Sequence, residues 1–154
     1  MTEVKPIISQ GGGLAQLDPE VDTMTLAGLT LGASFISYKR TVSEAVAQWD
    51  PVCISDAVDD NVRKAVTSSE LRADAIGVAL AATPAAGTVT VAGEGAVLVG
   101  ALVGATRGEL VYIATAGGLT TLAPVAAGEW VAPVGRAISA TDMLIKFGVK
   151  IQNP

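Results

Sequence analysis

Four oxygen-bearing side chains crowd the run DAVDDN: Asp56, Asp59, Asp60 and Asn61. Calcium takes oxygens at this density, but the EF-hand spacing is absent and no bidentate Glu follows at the required offset. The run reads as a solvated turn. Asp18, Glu20 and Asp22 form a second acidic cluster with the same reading. Glu129 and Asp142 are carboxylates of the kind that do acid–base work, yet nothing in the sequence brings them together. Cys53 lies in the apolar run PVCIS and reads as a buried small hydrophobe rather than a reactive thiol. The chain has no His, which excludes Ser–His–Asp and Cys–His arrangements and His-containing zinc sites. Gly11, Gly12 and Gly13 are not a phosphate loop, because no Gly-Lys-Ser/Thr follows. The glycines of GEGAVLVG sit between two strand-like runs and suit a hairpin turn better than a nucleotide site. No cofactor, no metal and no catalysis is called for. A glycosidase with two acids at a suitable separation is the enzyme alternative.

The elements that would position any site are short and β-like. WDPVCIS gives a strand starting near Pro51, where the missing N–H is harmless. NVRKAVTS, ADAIGVALAA, TVTVAG, GAVLVGALV, ELVYIAT, GLTTLAP, EWVAPVGRAIS and DMLIKFGVKI follow as strands, separated by turns rich in Gly, Pro, Asp and Thr. SSELRAD suits a short helix, and residues 42–48 fit a helical turn or a strand. The expected fold is all-β: a compact sandwich or barrel of short antiparallel strands over residues 41–154, with an extended N-terminal arm over residues 1–40. The arm holds one or two strands within Thr23–Tyr38.

A weak internal repeat runs through the larger part. DPVCIS, ADAIGVALAA and GTVTVAG line up with ELVYIAT, VAPVGRAISA and DMLIKFG, placing Gly77 and Gly135 in equivalent positions. A glycine inside a strand marks a bulge, a bend or a close backbone approach.

Composition bounds the partners. Half the residues are hydrophobic but only 4% are aromatic, so the core must come from small aliphatic side chains. Charged residues make up 16%, and an apolar surface so thinly charged self-associates unless it is covered. The net charge of −5 and the lack of a basic run argue against direct nucleic-acid binding. AVLVGALVGA is too short to span a bilayer, and the N-terminus lacks a signal-peptide pattern, so a soluble protein made in a cytoplasm is expected. Pro6, Ile7, Ile8, Leu14 and Leu17 are apolar residues of the arm with no local core, and suit an arm lying on a partner or a tail without fixed structure. Trp49 and Trp130 each stand beside an acidic residue near a strand start, as core packing or as interface anchors.

Gly108–Ile113 (GELVYI), Ala116–Thr121 (AGGLTT), Val134–Ala137 (VGRA) and Ser139–Thr141 (SAT) together resemble the capsid decoration, or cement, proteins of tailed bacteriophages. WDPVCIS and AIGVALAA fit the first half of that family, so the resemblance covers roughly Trp49 to Phe147. It implies a small β-rich homo-trimer on the outside of an assembled head, made in the bacterial host cytoplasm. It implies the major capsid protein as partner, and no cofactor. Similar AGGLTT segments occur in phage fibres and other virion parts, so a fibre, spike or neck component is the alternative.

Overall fold

The computed structural model describes residues 7–10, 13–16 and 37–154. The chain divides into two compact units, Met1–Ser34 and Phe35–Pro154. In the first, β1 (Ile7–Gln10) pairs antiparallel with β2 (Gly13–Gln16), with Gln10 opposite Gly13. The glycine triplet thus contributes Gly13 to β2. Ile7, Ile8 and Leu14 lie on these strands. Pro6, Leu17, the acidic cluster at residues 18–22 and the stretch 23–36 lie outside the described residues.

The second unit is built from antiparallel sheets, and the described residues contain no helix. Its first sheet holds β3 (Ser37–Thr41), β4 (Pro51–Ile54), β5 (Val62–Lys64), β6 (Ala75–Ala79) and β7 (Thr88–Ala92), in the order β5-β4-β6-β7-β3. Its second holds β8 (Val97–Leu98), β9 (Leu110–Ile113), β10 (Leu119–Thr120), β12 (Pro133–Ala137) and β13 (Met143–Ile145), in the order β10-β9-β12-β13-β8. A separate pair joins β11 (Trp130–Val131) to β14 (Ile151–Gln152).

The two orders are the same path walked twice. Register makes the repeat exact to the residue in β4, β6, β9 and β12. Val52 faces Gly77 as Val111 faces Gly135, and Cys53 faces Ala75 as Tyr112 faces Pro133. Both sheets skip one residue at this point, Ile76 in one and Val134 in the other, which is a matched bulge. The loops match too. Trp49 N–H donates to the Ala79 carbonyl at 2.8 Å, as Gly108 N–H donates to Ala137 at 2.8 Å. The Asp50 carboxylate accepts Ala47 N–H at 2.8 Å, as Glu109 accepts Thr106 N–H at 2.8 Å. The repeat read from sequence is therefore real, with one adjustment: Ala79 pairs with Val91 where Ala137 pairs with Met143, which shifts the last segment from the alignment drawn above.

That equivalence exposes a strained residue. Gly108 has a φ of 89°, and Trp49 in the same place has a φ of 70°. The left-handed conformation costs an L-residue about 1–2 kcal/mol, and glycine nothing comparable. Gly108 has open space around its Cα. Gly108→Ala should therefore cost about 1 kcal/mol from the backbone alone, read as a fall in urea midpoint at unchanged slope.

The first sheet rolls up. Val42, directly after edge strand β3, bridges Val62 on the opposite edge strand β5, and Ser43 N–H donates to the Val62 carbonyl at 2.9 Å. Residues 42–48, open between helix and strand by sequence, form this closure. Glu44 secures it by accepting Lys64 N–H at 3.1 Å and the Arg72 guanidinium at 2.7 Å. Val42, Val46, Val52, Val62, Ala79, Val89 and Val91 fill the interior. Small β-branched side chains suit so narrow a barrel.

Four expected elements differ. EWVAPVGRAIS, expected as one strand, divides into β11 and β12, and DMLIKFGVKI divides into β13 and the start of β14, because β11 and β14 pair with each other outside the five-stranded sheet. GAVLVGALV is a strand only at Val97–Leu98. Gly100 and Gly104 take positive φ and turn the chain, leaving Val99 and Val103 exposed and burying Leu102. SSELRAD makes turns with a bond from Ala73 N–H to the Ser69 carbonyl, and no helix. Only Ala73 docks in the core while Leu71 stays exposed, and an isolated helical turn has no stability of its own.

Candidate functional site

Alternation along the strands assigns an inside and an outside to each repeat. In the first, Val52, Ala79 and Val91 point inward, so their neighbours Cys53, Val78 and Ala92 point outward. All three outward residues are nonetheless buried. They belong to a larger cluster with Leu98, Val111, Ile113, Val134, Met143 and Ile145 of the second repeat. The second repeat thus packs its interior end against the outer face of the first. Hydrogen bonds and ion pairs line that joint. Trp130 N–H donates to the Thr67 carbonyl at 2.9 Å, and Lys150 meets Asp74 at 3.3 Å. Gly117 lies so close over Lys64 that a Cβ would overlap the lysine stem.

Each half of this joint has a counterpart that nothing among the described residues covers. Tyr38, Ile54, Val62 and Ile76 of the first repeat match Leu98, Ile113, Leu119 and Val134 of the second by register. In the second repeat Leu98, Ile113 and Val134 are buried; in the first, Ile54 is 57% exposed. There, with Arg40, Asp60 and Asn61, the residues line an open cavity of about 260 Å³. Tyr38 donates to the Ile76 carbonyl at 3.2 Å, and burial pushes its phenol up against the opposing pull of Arg40, 5.4 Å from the ring centre. The second repeat's outward residues are Tyr112, Arg136 and Leu144, in the places of Cys53, Val78 and Ala92. Arg136 is exposed, and Tyr112 and Leu144 are half-buried.

The residues singled out by chemistry have structural duties. Asp56 pairs with Arg63. Ser55 caps the same turn by accepting Ala57 and Val58 N–H at 3.3 and 3.2 Å, and Asp60 holds a φ of 60°. Glu129 accepts the Thr67 hydroxyl at 3.3 Å. The Gly100 N–H, then the Thr141 hydroxyl, hold the Asp142 carboxyl below its usual range. Among the described residues no group of His, Cys, Asp and Glu is placed to hold a metal ion, and no helix is long and apolar enough to cross a membrane. Trp49 and Trp130 are half-buried against the shared cluster, with Lys150 6.0 Å from the Trp130 ring centre. Ile7, Ile8 and Leu14 belong to the other unit. Cys53 is fully buried, and burial pushes its thiol up, with Arg72 and Arg63 opposing. Cys53 should not react with a thiol reagent in the native protein and should titrate as one thiol after denaturation.

Sequence reasoning missed the mouth residues Tyr38, Ile54 and Ile76 and the outer-face residues Tyr112 and Arg136. The signal was available in the aligned repeat: Val78 against Arg136, and Cys53 against Tyr112, are changes from apolar to polar on one face.

Against known proteins, no family model and no curated relative matches the chain.

Proposed function

We propose that this chain is a structural virion protein, a decoration protein of a tailed-phage capsid. It binds the outside of the assembled shell as a homo-trimer, bridges major capsid protein subunits and is not an enzyme. The observation that carries this reading is the placement of the resembling segments. Gly108–Ile113 forms the turn into β9 and the strand itself, Ala116–Thr121 the turn into β10 and that strand, and Val134–Ala137 most of β12. Ser139–Thr141 is the turn before β13, where Ser139 accepts Thr141 and Asp142 N–H at 3.2 and 3.0 Å. These segments supply turn and ladder geometry, which is what a rigid, small-sided binding module needs.

The mechanism is thermodynamic. A protein that binds only the assembled shell stabilises it by mass action, and many copies bridging subunits add avidity. The arm residues Pro6, Ile7, Ile8, Leu14 and Leu17 would lie on the shell or on a neighbouring copy. Purified heads mixed with the protein should take up copies across the whole shell and survive heating or chelation longer. Copies confined to one vertex or to the tail would instead favour a fibre, spike or neck component. Deleting residues 1–20 should reduce head occupancy, and undiminished occupancy would remove the arm from the mechanism.

A further inference from the structure

The joint inside the chain is directional: the outer face of the first repeat covers the interior end of the second. Its two counterparts are the mouth around Ile54 and the outer face around Arg136. We propose that these two surfaces bind each other between copies, so that the outer face of the second repeat seats in the first-repeat mouth of a neighbouring chain.

Three observations support a second copy as the occupant. First, the register of the two repeats coincides down to the bulge, so the contact within the chain is a template for the contact between chains. Second, the mouth is apolar at its floor, with Ile54 and Ile76, and Val58 on the adjoining turn is 48% exposed; the opposing face offers the half-buried Tyr112 and Leu144. Third, charge is complementary. The turn beside the mouth carries the exposed Asp59 and Asp60, and the mouth wall also carries the exposed Arg40, while the outer face carries the exposed Arg136 and Lys146, so the attraction rests on the two aspartates. Where the first repeat has the apolar Val78, the second carries Arg136, whose guanidinium donates to the Gly108 carbonyl at 2.7 Å and would lie toward these aspartates in the proposed contact. Such a contact joins two different surfaces, so it builds a ring where its rotation closes and a filament where it does not. A ring of three chains would carry six near-equivalent repeats.

The test uses the full-length chain and two variants at exposed positions, Ile54→Arg in the mouth and Arg136→Glu on the outer face, with thermal melts confirming that both fold. Molar mass by light scattering should show a wild-type oligomer and a monomer for each variant alone. Each variant keeps one intact surface, so an equimolar mixture should form a dimer of one copy of each. A monomeric wild type, an oligomer indifferent to both variants, or a mixture that stays monomeric would overturn the proposal. So would a monomeric wild type that assembles once residues 1–34 are deleted, because the mouth would then belong to the chain's own N-terminal segment. Head binding is a separate readout, so loss of the capsid reading leaves this result standing, and the reverse holds too.

Discussion

Gly135→Ala is expected to lower the unfolding free energy by about 3 kcal/mol or more. Gly135 sits at the bulge of β12, sandwiched between Val111 on β9 and Ile145 on β13. A Cβ there would overlap the Leu144 carbonyl oxygen and the Met143 Cε. The methionine end can swing away, but the carbonyl belongs to a paired strand and cannot. The clash must be relieved by parting β12 from β13, which breaks ladder bonds in the middle of the sheet. Gly77→Ala should behave similarly, because its Cβ would meet the Ala92 carbonyl oxygen at 2.7 Å. Gly128→Ala is the control: its φ is 81° and its surroundings are open, so only the backbone cost of about 1 kcal/mol applies. Urea unfolding of the three variants separates the steric from the conformational cost. Equal losses for Gly135 and Gly128 would contradict the close-approach argument.

Ile113→Ala should cost about 4 kcal/mol, whereas Ile54→Ala at the equivalent position should cost about 1 kcal/mol or less. The two isoleucines face the same partner positions, Leu119 and Val62. They differ in what lies beyond. Ile113 is 0% exposed within the cluster shared by both repeats, and its truncation leaves a cavity between two sheets that cannot collapse. Ile54 borders solvent and loses little area. Chemical denaturation of both variants in the same background measures the joint's worth with the chain as its own reference. Comparable losses would mean that the shared cluster is not what holds the repeats together.

Much of this fold is legible in the sequence because alternation and turn chemistry act locally. PVCI, AIGVA, TVTVA and LVYI become strands where their β-branched residues and flanking Gly, Pro and Asp place them. The repeat was visible for the same reason, since Gly77 and Gly135 mark matching bulges. What local rules could not show is which apolar residues are shared. AVLVGALVGA has the hydrophobicity of a buried strand, yet glycines at positive φ break it and expose Val99 and Val103. The surfaces were less legible than the fold. Ile54 and Ile113 look alike in sequence, and only the stacking of one repeat on the other buries one and leaves the other open.

The matched registers carry a consequence for how the chain reaches this structure. Two sheets with the same strand order and the same bulge offer each strand two slots of nearly equal geometry. A strand from one half can enter the other half's sheet, and mispairing of this kind is a characteristic trap in proteins with repeated segments. Side chains have to break the tie. Were β12 to occupy the place of β6, Arg136 would carry its guanidinium to the site of Val78, which is fully buried among apolar groups. An uncompensated buried charge costs several kcal/mol, far more than the register could recover. Arg136 would therefore disfavour the entry of β12 into the slot of β6 while leaving its own slot, where it is exposed, unaffected.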